Sequence, residues 1–318
     1  YFNFHLWDNQ KILNFNKNSE IIKLNDEGFR INPLNNEENH NKILLSGGST
    51  AFGMYASNQK SIISAQITDK LKVNVFNLNS NFGNSHNELI SILKFENDYD
   101  LSISLTIAND IENFCSNNAN IKSSIFDLPK GFNSWNKFIE GAKPLKISQF
   151  NFQQKFTIFF SSIFRDNFNL INNFFNLKKN NSFINCSNNK DKIVESFLNN
   201  QIEMSNLARM RGAKHITIIQ PIHFIHENIE SSYINAEKKI FFQKVISKVL
   251  SSKYCKNQCY DLSRVFDNQK KLIRFDNSKN IEISNLFYDE YNLLDDGNEL
   301  MSNKIIELIK INKYIKNE

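Results

Sequence analysis

The run Gly47-Gly48-Ser49-Thr50 places a serine where a nucleophile is useful. A short apolar strand, Ile43 to Ser46, precedes it, and a helix is expected from about Ala51. In such a turn the hydroxyl is exposed, and amides at the helix start face negative charge that develops beside it. The plainer reading is a helix cap, since Gly-Ser turns at strand ends are common. Further residues with chemical reach are Gly83 in "NLNSNFGNSHNE", Asn109 in "TIANDIENF", and Asp289 and Asn292 in "FYDEYNLLDDGNELMSNKI". Asp110 and Glu112 form a carboxylate pair suited to metal or glycosidic chemistry, although adjacent acids at a strand end usually cap and are solvated. His223 and His226 follow Pro221 at another strand end, where histidines commonly sit in surface loops; His86 lies near Gly83. No context recommends His5, His40 or His215.

In order and surroundings, the segments around Ser49, Gly83, Asn109 and Asp289 resemble the four sequence blocks of the SGNH (GDSL-like) ester hydrolases. The Gly-Gly-Ser-Thr form is one often seen in carbohydrate-related members. The resemblance spans nearly the whole chain. "LNDEGFR", ending at Arg30, is similar to a segment upstream of the nucleophile in anchored or exported relatives, and "LARMRGAKHITIIQP" to the helix, turn and strand before the last block. The resemblance implies a three-layer α/β/α sandwich around a mostly parallel five-stranded sheet of flavodoxin-like order. It also implies Ser49 as nucleophile, with an oxyanion hole made from the Ser49 amide, the Gly83 amide and the Asn109 side chain. Such donors stabilise the charge that builds on a carbonyl oxygen during acyl transfer, and a side chain at position 83 would obstruct the substrate's approach.

Two positions depart from the family pattern. Ile107 stands where the family has Gly, which narrows the site or shifts the strand end. The final block keeps Asp289, Leu293, Gly297 and Asn298, but Asn292 stands in place of the catalytic histidine. An amide can hold a hydrogen bond with Ser49 but cannot accept its proton near neutral pH. His223 or His226 could serve as a replacement base, and Asp289 could instead pair with Asn292 as a structural remnant. Implied is an acyl (acetyl) esterase or acyltransferase acting through Ser49 on an acylated carbohydrate or small ester, with impaired activity. The alternative is a non-catalytic pseudo-hydrolase that binds glycans or serves in structure or assembly. A cytoplasmic non-hydrolase of flavodoxin-like topology ranks last, because no phosphate-binding glycine loop supports it.

The elements that must position these residues alternate along the chain. Strands are expected at Lys72 to Leu78, Tyr99 to Ile107, Ile216 to Gln220 and Tyr260 to Leu262, besides Ile43 to Ser46. Helical spacing marks Glu88 to Phe95, Ile193 to Leu207 closing at Gly212, Ala236 to Leu250, and a last helix from Gly297. This alternation indicates a parallel sheet covered on both faces, with ligands at the carboxyl ends of the strands. The expectation is one domain over residues 1–318, with an N-terminal extension at 1–42 and a Phe- and Asn-rich insertion or lid at 115–189. The insertion carries an amphipathic helix near Phe150 to Phe164, whose aromatics more often fill a core than an acyl pocket.

Composition bounds the rest. The 318 residues are 41% hydrophobic with 29 Phe, enough for a sizeable core, and 9 Gly with 4 Pro excludes fibrous and Pro-rich classes. The charge of +5 comes from residues scattered along the chain, so no nucleic-acid partner is expected. No apolar run reaches the roughly 18 residues a membrane helix needs. The sequence opens at Tyr1 without Met, and an upstream signal or anchor is expected. The four cysteines suit two disulfides, Cys115 with Cys186 and Cys255 with Cys259, in an oxidising compartment. A zinc site at Cys255 and Cys259 lacks further ligands nearby, and neither metal nor cofactor is expected. The expected location is periplasmic, secreted or outer-surface; oligomeric state is not legible.

Overall fold

Alternation within one strand explains how the sheet is covered. In β3 (Leu101–Thr106), Leu101, Ile103 and Leu105 face one layer of helices, while Ser102, Ser104 and Thr106 face the other; all six are buried. β-Strands with alternating polar residues often have one face in water. Here the polar face is covered instead, by helices that supply hydrogen-bond partners.

A computed structural model describes residues 22–25, 29–79, 83–116, 186, 189–227, 236–267 and 286–315. Five parallel strands form the sheet: β1 (Lys42–Gly47), β2 (Asn74–Asn77), β3, β4 (Lys214–Ile219) and β5 (Cys259–Asp261). Their spatial order is β2-β1-β3-β4-β5, the flavodoxin-like order of a doubly wound sheet. The helices are α1 (Ser49–Phe52), α2 (Ile63–Leu71), α3 (Ser85–Lys94), α4 (Ala108–Ser116), α5 (Lys190–Met210), α6 (Ala236–Leu250), α7 (Cys255–Gln258) and α8 (Asp295–Ile311). A 3-10 turn occupies His223–Ile225.

On the first face, Ile63 and Ile67 of α2 and Met301, Ile305 and Ile309 of α8 close an apolar core over Ile43, Leu45, Val75, Ile103 and Ile218. On the second face, Leu44 packs with Leu89, Ile92 and Met204. Beside it runs a buried polar network. The Ser46 hydroxyl donates to Glu88 Oε2 at 3.1 Å, and the Ser104 hydroxyl donates to the same oxygen. Gln201 Nε2 donates to Ser104 Oγ at 3.1 Å, and Thr217 Oγ1 donates to Gln201 Oε1 at 2.6 Å. His215, which sequence context did not recommend, holds Ser102 Oγ and Gln201 Oε1 with its two ring nitrogens. The three-layer α/β/α class expected from the sequence is therefore present.

Some boundaries differ from expectation. The helix expected from Ala51 is a single turn, Ser49–Phe52, stopped by Gly53 at φ 74°; the next helix starts only at Ile63. β2 and β3 are shorter than their apolar runs, and α8 starts two residues before Gly297. Within the expected N-terminal extension, Arg30 and Asn32 are buried, and Asn32 Nδ2 donates to Ser64 O and Thr68 Oγ1 of α2. Apart from residues 115, 116, 186 and 189, the expected insertion, with its helix near 150–164, lies outside the described residues. Its two ends are joined by the Cys115–Cys186 disulfide, and Cys255 bonds Cys259, as the cysteine spacing suggested. Among the described residues, no helix is long and apolar enough to cross a membrane.

Candidate active site

Ser49 sits at the carboxyl end of β1, and Asn109 at that of β3. These strands are neighbours from which the chain winds in opposite directions, the switch point where open α/β sheets bind ligands. Ser49 opens α1, and its carbonyl accepts the Gly53 amide at 3.0 Å and the Met54 amide at 3.2 Å. Ser49 is 9% exposed. The turn is anchored from below by Arg30, whose Nη1 donates to Phe52 O (3.0 Å) and Gly53 O (2.5 Å), while Nε donates to Gln59 Oε1 (3.0 Å). The guanidinium also lies 5.4 Å from the Phe52 ring centre. Burial lowers its pKa to about 10, which leaves it cationic at the carbonyl end of α1. Sequence reasoning noticed the segment ending at Arg30 without assigning it a role; a lone Arg after Gly-Phe gives no hint of which carbonyls it will meet.

Gly83 and Asn109 meet at the same turn. Asn109 Nδ2 donates to Gly83 O at 2.7 Å. A Cβ on Gly48 would lie 2.3 Å from Asn109 Nδ2 and 3.0 Å from Gly83 O, so only glycine lets the three segments approach this closely. The start of α3 is tied to α4 by Asp110, which accepts Ser85 Oγ (2.5 Å) and Ser85 N (3.1 Å), and Asn200 Nδ2 donates to Ser85 Oγ at 2.9 Å. Burial raises the Asp110 pKa to about 6, against the lowering effect of the Ser85 bonds. Asp110 thus braces two loops, and Glu112 points into a different cluster; the two do not form a carboxylate pair. Ile107 keeps a backbone conformation suited to glycine, with φ 105°, while its side chain is wholly buried. A β-branched residue is strained there, by about 1–3 kcal/mol.

The last loop folds back on itself through an antiparallel bridge between Phe287 and Leu293. Asp289 is its knot: Oδ1 accepts the amides of Tyr291 (2.9 Å) and Asn292 (2.7 Å), and Oδ2 accepts Asn292 Nδ2 (2.7 Å). With its nitrogen engaged, Asn292 keeps Oδ1 buried and without a hydrogen-bond partner among the described residues. The loop reaches the serine turn through Thr50, whose Oγ1 donates to Tyr291 O at 2.7 Å and accepts Gln220 Nε2 at 2.9 Å. Lys238 of α6 clamps the loop from outside. Its ammonium lies 2.8 Å from Glu112 Oε1 and also contacts Glu290, with the rings of Phe224, Tyr291 and Phe242 at 4.9, 5.3 and 5.8 Å. The Tyr291 hydroxyl donates to Glu112, and burial, reinforced by Glu112 and Glu290, raises its pKa strongly.

The histidines weighed as replacement bases are placed differently. His226 is fully buried: Nδ1 lies 2.8 Å from Ile222 O, Nε2 accepts the Phe266 amide at 3.3 Å, and the ring stacks on Phe266. Both nitrogens are therefore committed to backbone, and burial lowers the pKa. His223 is 4% exposed, donates its amide to Glu290 O at 2.9 Å, and sets its ring edge-to-face with Phe287. Neither is a surface-loop histidine. His86, on α3, has its Nδ1 buried without a partner among the described residues, and burial lowers its pKa. Among the described residues there is no group of three or more His, Cys, Asp or Glu suited to a metal ion.

No protein-family profile matches the chain, and no curated protein matches it significantly. Among solved structures it is similar to the acetyl xylan esterase AlAXEase, with 12% identity over 84% of this chain and 99% of that one, at a TM-score of 0.46. It is likewise similar to an acetyl xylan esterase from Geobacillus stearothermophilus (11%, 85% and 95%, TM-score 0.43). A protein of Desulfitobacterium hafniense DCB-2 assigned to the G-D-S-L lipolytic family gives 11%, 85% and 99%, with a TM-score of 0.41. Likenesses this remote assign no chemistry. What is present in this chain is a serine turn, a glycine loop, an asparagine and an Asp-Asn loop brought to one end of one sheet.

Proposed function

We propose that this chain is an SGNH (GDSL-like) ester hydrolase-like protein, an acyl esterase or acyltransferase that acts through Ser49 on an acylated carbohydrate or small ester. The observation that carries the reading is the 2.7 Å hydrogen bond from Asn109 Nδ2 to Gly83 O, packed so closely against Gly48, next to Ser49, that no side chain fits there. One Asn109 amide hydrogen holds Gly83 in place, which leaves the other, with backbone amides of the turn, to meet an oxyanion. Asn292 occupies the base position and takes no proton near neutral pH, so turnover runs roughly 10⁴- to 10⁶-fold below that of a complete serine-base pair. His226, with both ring nitrogens engaged, offers no replacement.

A fluorophosphonate probe and short-chain aryl esters test this reading. Labelling at Ser49, and slow turnover above the Ser49→Ala background, are expected; absence of both ends it. The second reading, a non-catalytic scaffold that binds a glycan or serves assembly, is favoured by the Asp289–Asn292 bond, which makes the last block a rigid loop without a base. Two disulfides support a periplasmic, secreted or outer-surface location, where thiols oxidise.

A further inference from the structure

The two carboxylates held by Lys238 come from two of the segments that carry the candidate site. Glu112 lies three residues after Asn109, on the same face of α4, and Glu290 lies between Asp289 and Asn292 in the last loop. The ammonium is 2.8 Å from Glu112 Oε1 and also contacts Glu290 Oε2, and the lysine side chain is only 13% exposed. Tyr291 is the third member of this cluster. Its hydroxyl donates to Glu112, and its ring stacks on Phe242 with centroids 6.2 Å apart. From there its backbone leads inward: the amide donates to Asp289 Oδ1 at 2.9 Å, and the carbonyl accepts Oγ1 of Thr50, the residue after Ser49, at 2.7 Å. Direct contacts therefore run without a break from the ammonium through Tyr291 to the serine turn.

We propose that Lys238 is a positioning residue of the Ser49 site: by holding Glu112 and Glu290 on one ammonium, it sets the last loop against α4 and, through Tyr291 O and Thr50, against the serine turn. Calling this a site rests on the ester-hydrolase reading, whereas the clamp itself does not depend on catalysis. A cation largely shielded from water is screened less than a surface one, and the rings of Phe224, Tyr291 and Phe242, at 4.9, 5.3 and 5.8 Å, add attraction and exclude solvent. Without the ammonium, the two carboxylates that met on it repel each other. The neighbouring Lys239 does not replace it, because its ammonium donates to His226 O at 3.2 Å. Glu290 is the more exposed acid, 44% against 29% for Glu112, so the loop is the side that gives way. Its departure draws Tyr291 O from Thr50. Methionine at position 238 keeps the aliphatic stem and removes only the charge, and neutralising both acids as well removes the repulsion.

Hydrogen exchange on the full chain, read by mass spectrometry, decides it for the parent, Lys238→Met, and Lys238→Met combined with Glu112→Gln and Glu290→Gln. In Lys238→Met, exchange about tenfold faster is expected in two places: at the Tyr291 and Asn292 amides, which bond Asp289, and at the Gly53 and Met54 amides, which bond Ser49 O. Amides of β1 and β3 should keep the parent rate, and the triple variant should return the loop and the turn to it. Parent rates at the loop or at the turn overturn the proposal. So does acceleration spread equally through β1 and β3, which would make Lys238 a support of the fold alone, and so does a triple variant as loose as Lys238→Met. Fluorophosphonate labelling supplies the separate chemical readout: the maximum labelling rate of Ser49 should fall about tenfold in Lys238→Met and recover in the triple variant. A labelled parent with an unchanged rate in Lys238→Met ends the positioning role and leaves the ester-hydrolase reading standing. A parent that is not labelled counts against that reading, and exchange at Gly53 and Met54 then decides the clamp alone.

Discussion

At the scale of single residues, the proposed function turns on Asn292. Its nitrogen donates to Asp289, its buried oxygen has no partner among the described residues, and the side chain carries no basic nitrogen. Asn292→His is expected to raise kcat/KM on an aryl acetate by about 10²- to 10⁴-fold and to add an imidazole limb to the pH profile. An unchanged rate would show that the pocket has been remodelled elsewhere. Glu88 allows a second prediction at this scale. Burial raises its pKa from 4.5 to about 7, against the lowering effects of Ser104, Thr106 and Ser46 and with a further rise from Asp110. Because the folded-state value lies above the unfolded one, Glu88 favours the fold fully below about pH 4.5, and this contribution is lost as pH rises through 7. Glu88→Gln should therefore gain about 2 kcal/mol relative to the parent between pH 5 and 8, read from denaturant midpoints. His215 works in the opposite sense: burial lowers its pKa to about 3, so its contribution is lost as pH falls below 6.5. It is present in both proteins and cancels from the comparison. A pH-independent difference would place an ionised carboxylate in the network instead.

At the scale of elements, the one-turn helix α1 is the weak member of the site. Four residues cannot sustain a helix alone, because the nucleation cost is not repaid. Arg30 offsets this by filling the carbonyls at its end. In Arg30→Met, Phe52 O, Gly53 O and Gln59 Oε1 lose their donor while most of the volume is kept. A destabilisation of about 2–4 kcal/mol is expected by chemical denaturation, with slower fluorophosphonate labelling of Ser49. Labelling at the parent rate would mean that the turn holds its shape without the guanidinium. Much of the element pattern was legible beforehand: apolar runs and Gly punctuation placed five strands and most helices within a few residues. The length of α1 was not, because Ala51-Phe52 reads locally as a helix start, while Gly53 and a distant arginine define its end.

At the scale of the whole molecule, the Cys115–Cys186 bond spans 71 residues and ties α4, which begins at the candidate oxyanion strand end, to the entry of α5. Replacing both cysteines by serine is expected to cost about 4 kcal/mol, since closing so long a loop removes much unfolded-state entropy; a midpoint unchanged within error would refute this. Taken by itself, the sequence determined the fold class, because alternating strands and helices rest on periodicity and on local spacing along the chain, while the four blocks and the Asn at position 292 were legible only as a resemblance to a family. Only the tertiary structure decided that Asp110 braces Ser85 while Glu112 joins Lys238, that His226 is spent on backbone, and that Arg30 supports the serine turn. Each of those contacts joins segments that spacing cannot relate, and close packing across the sheet selects the partner.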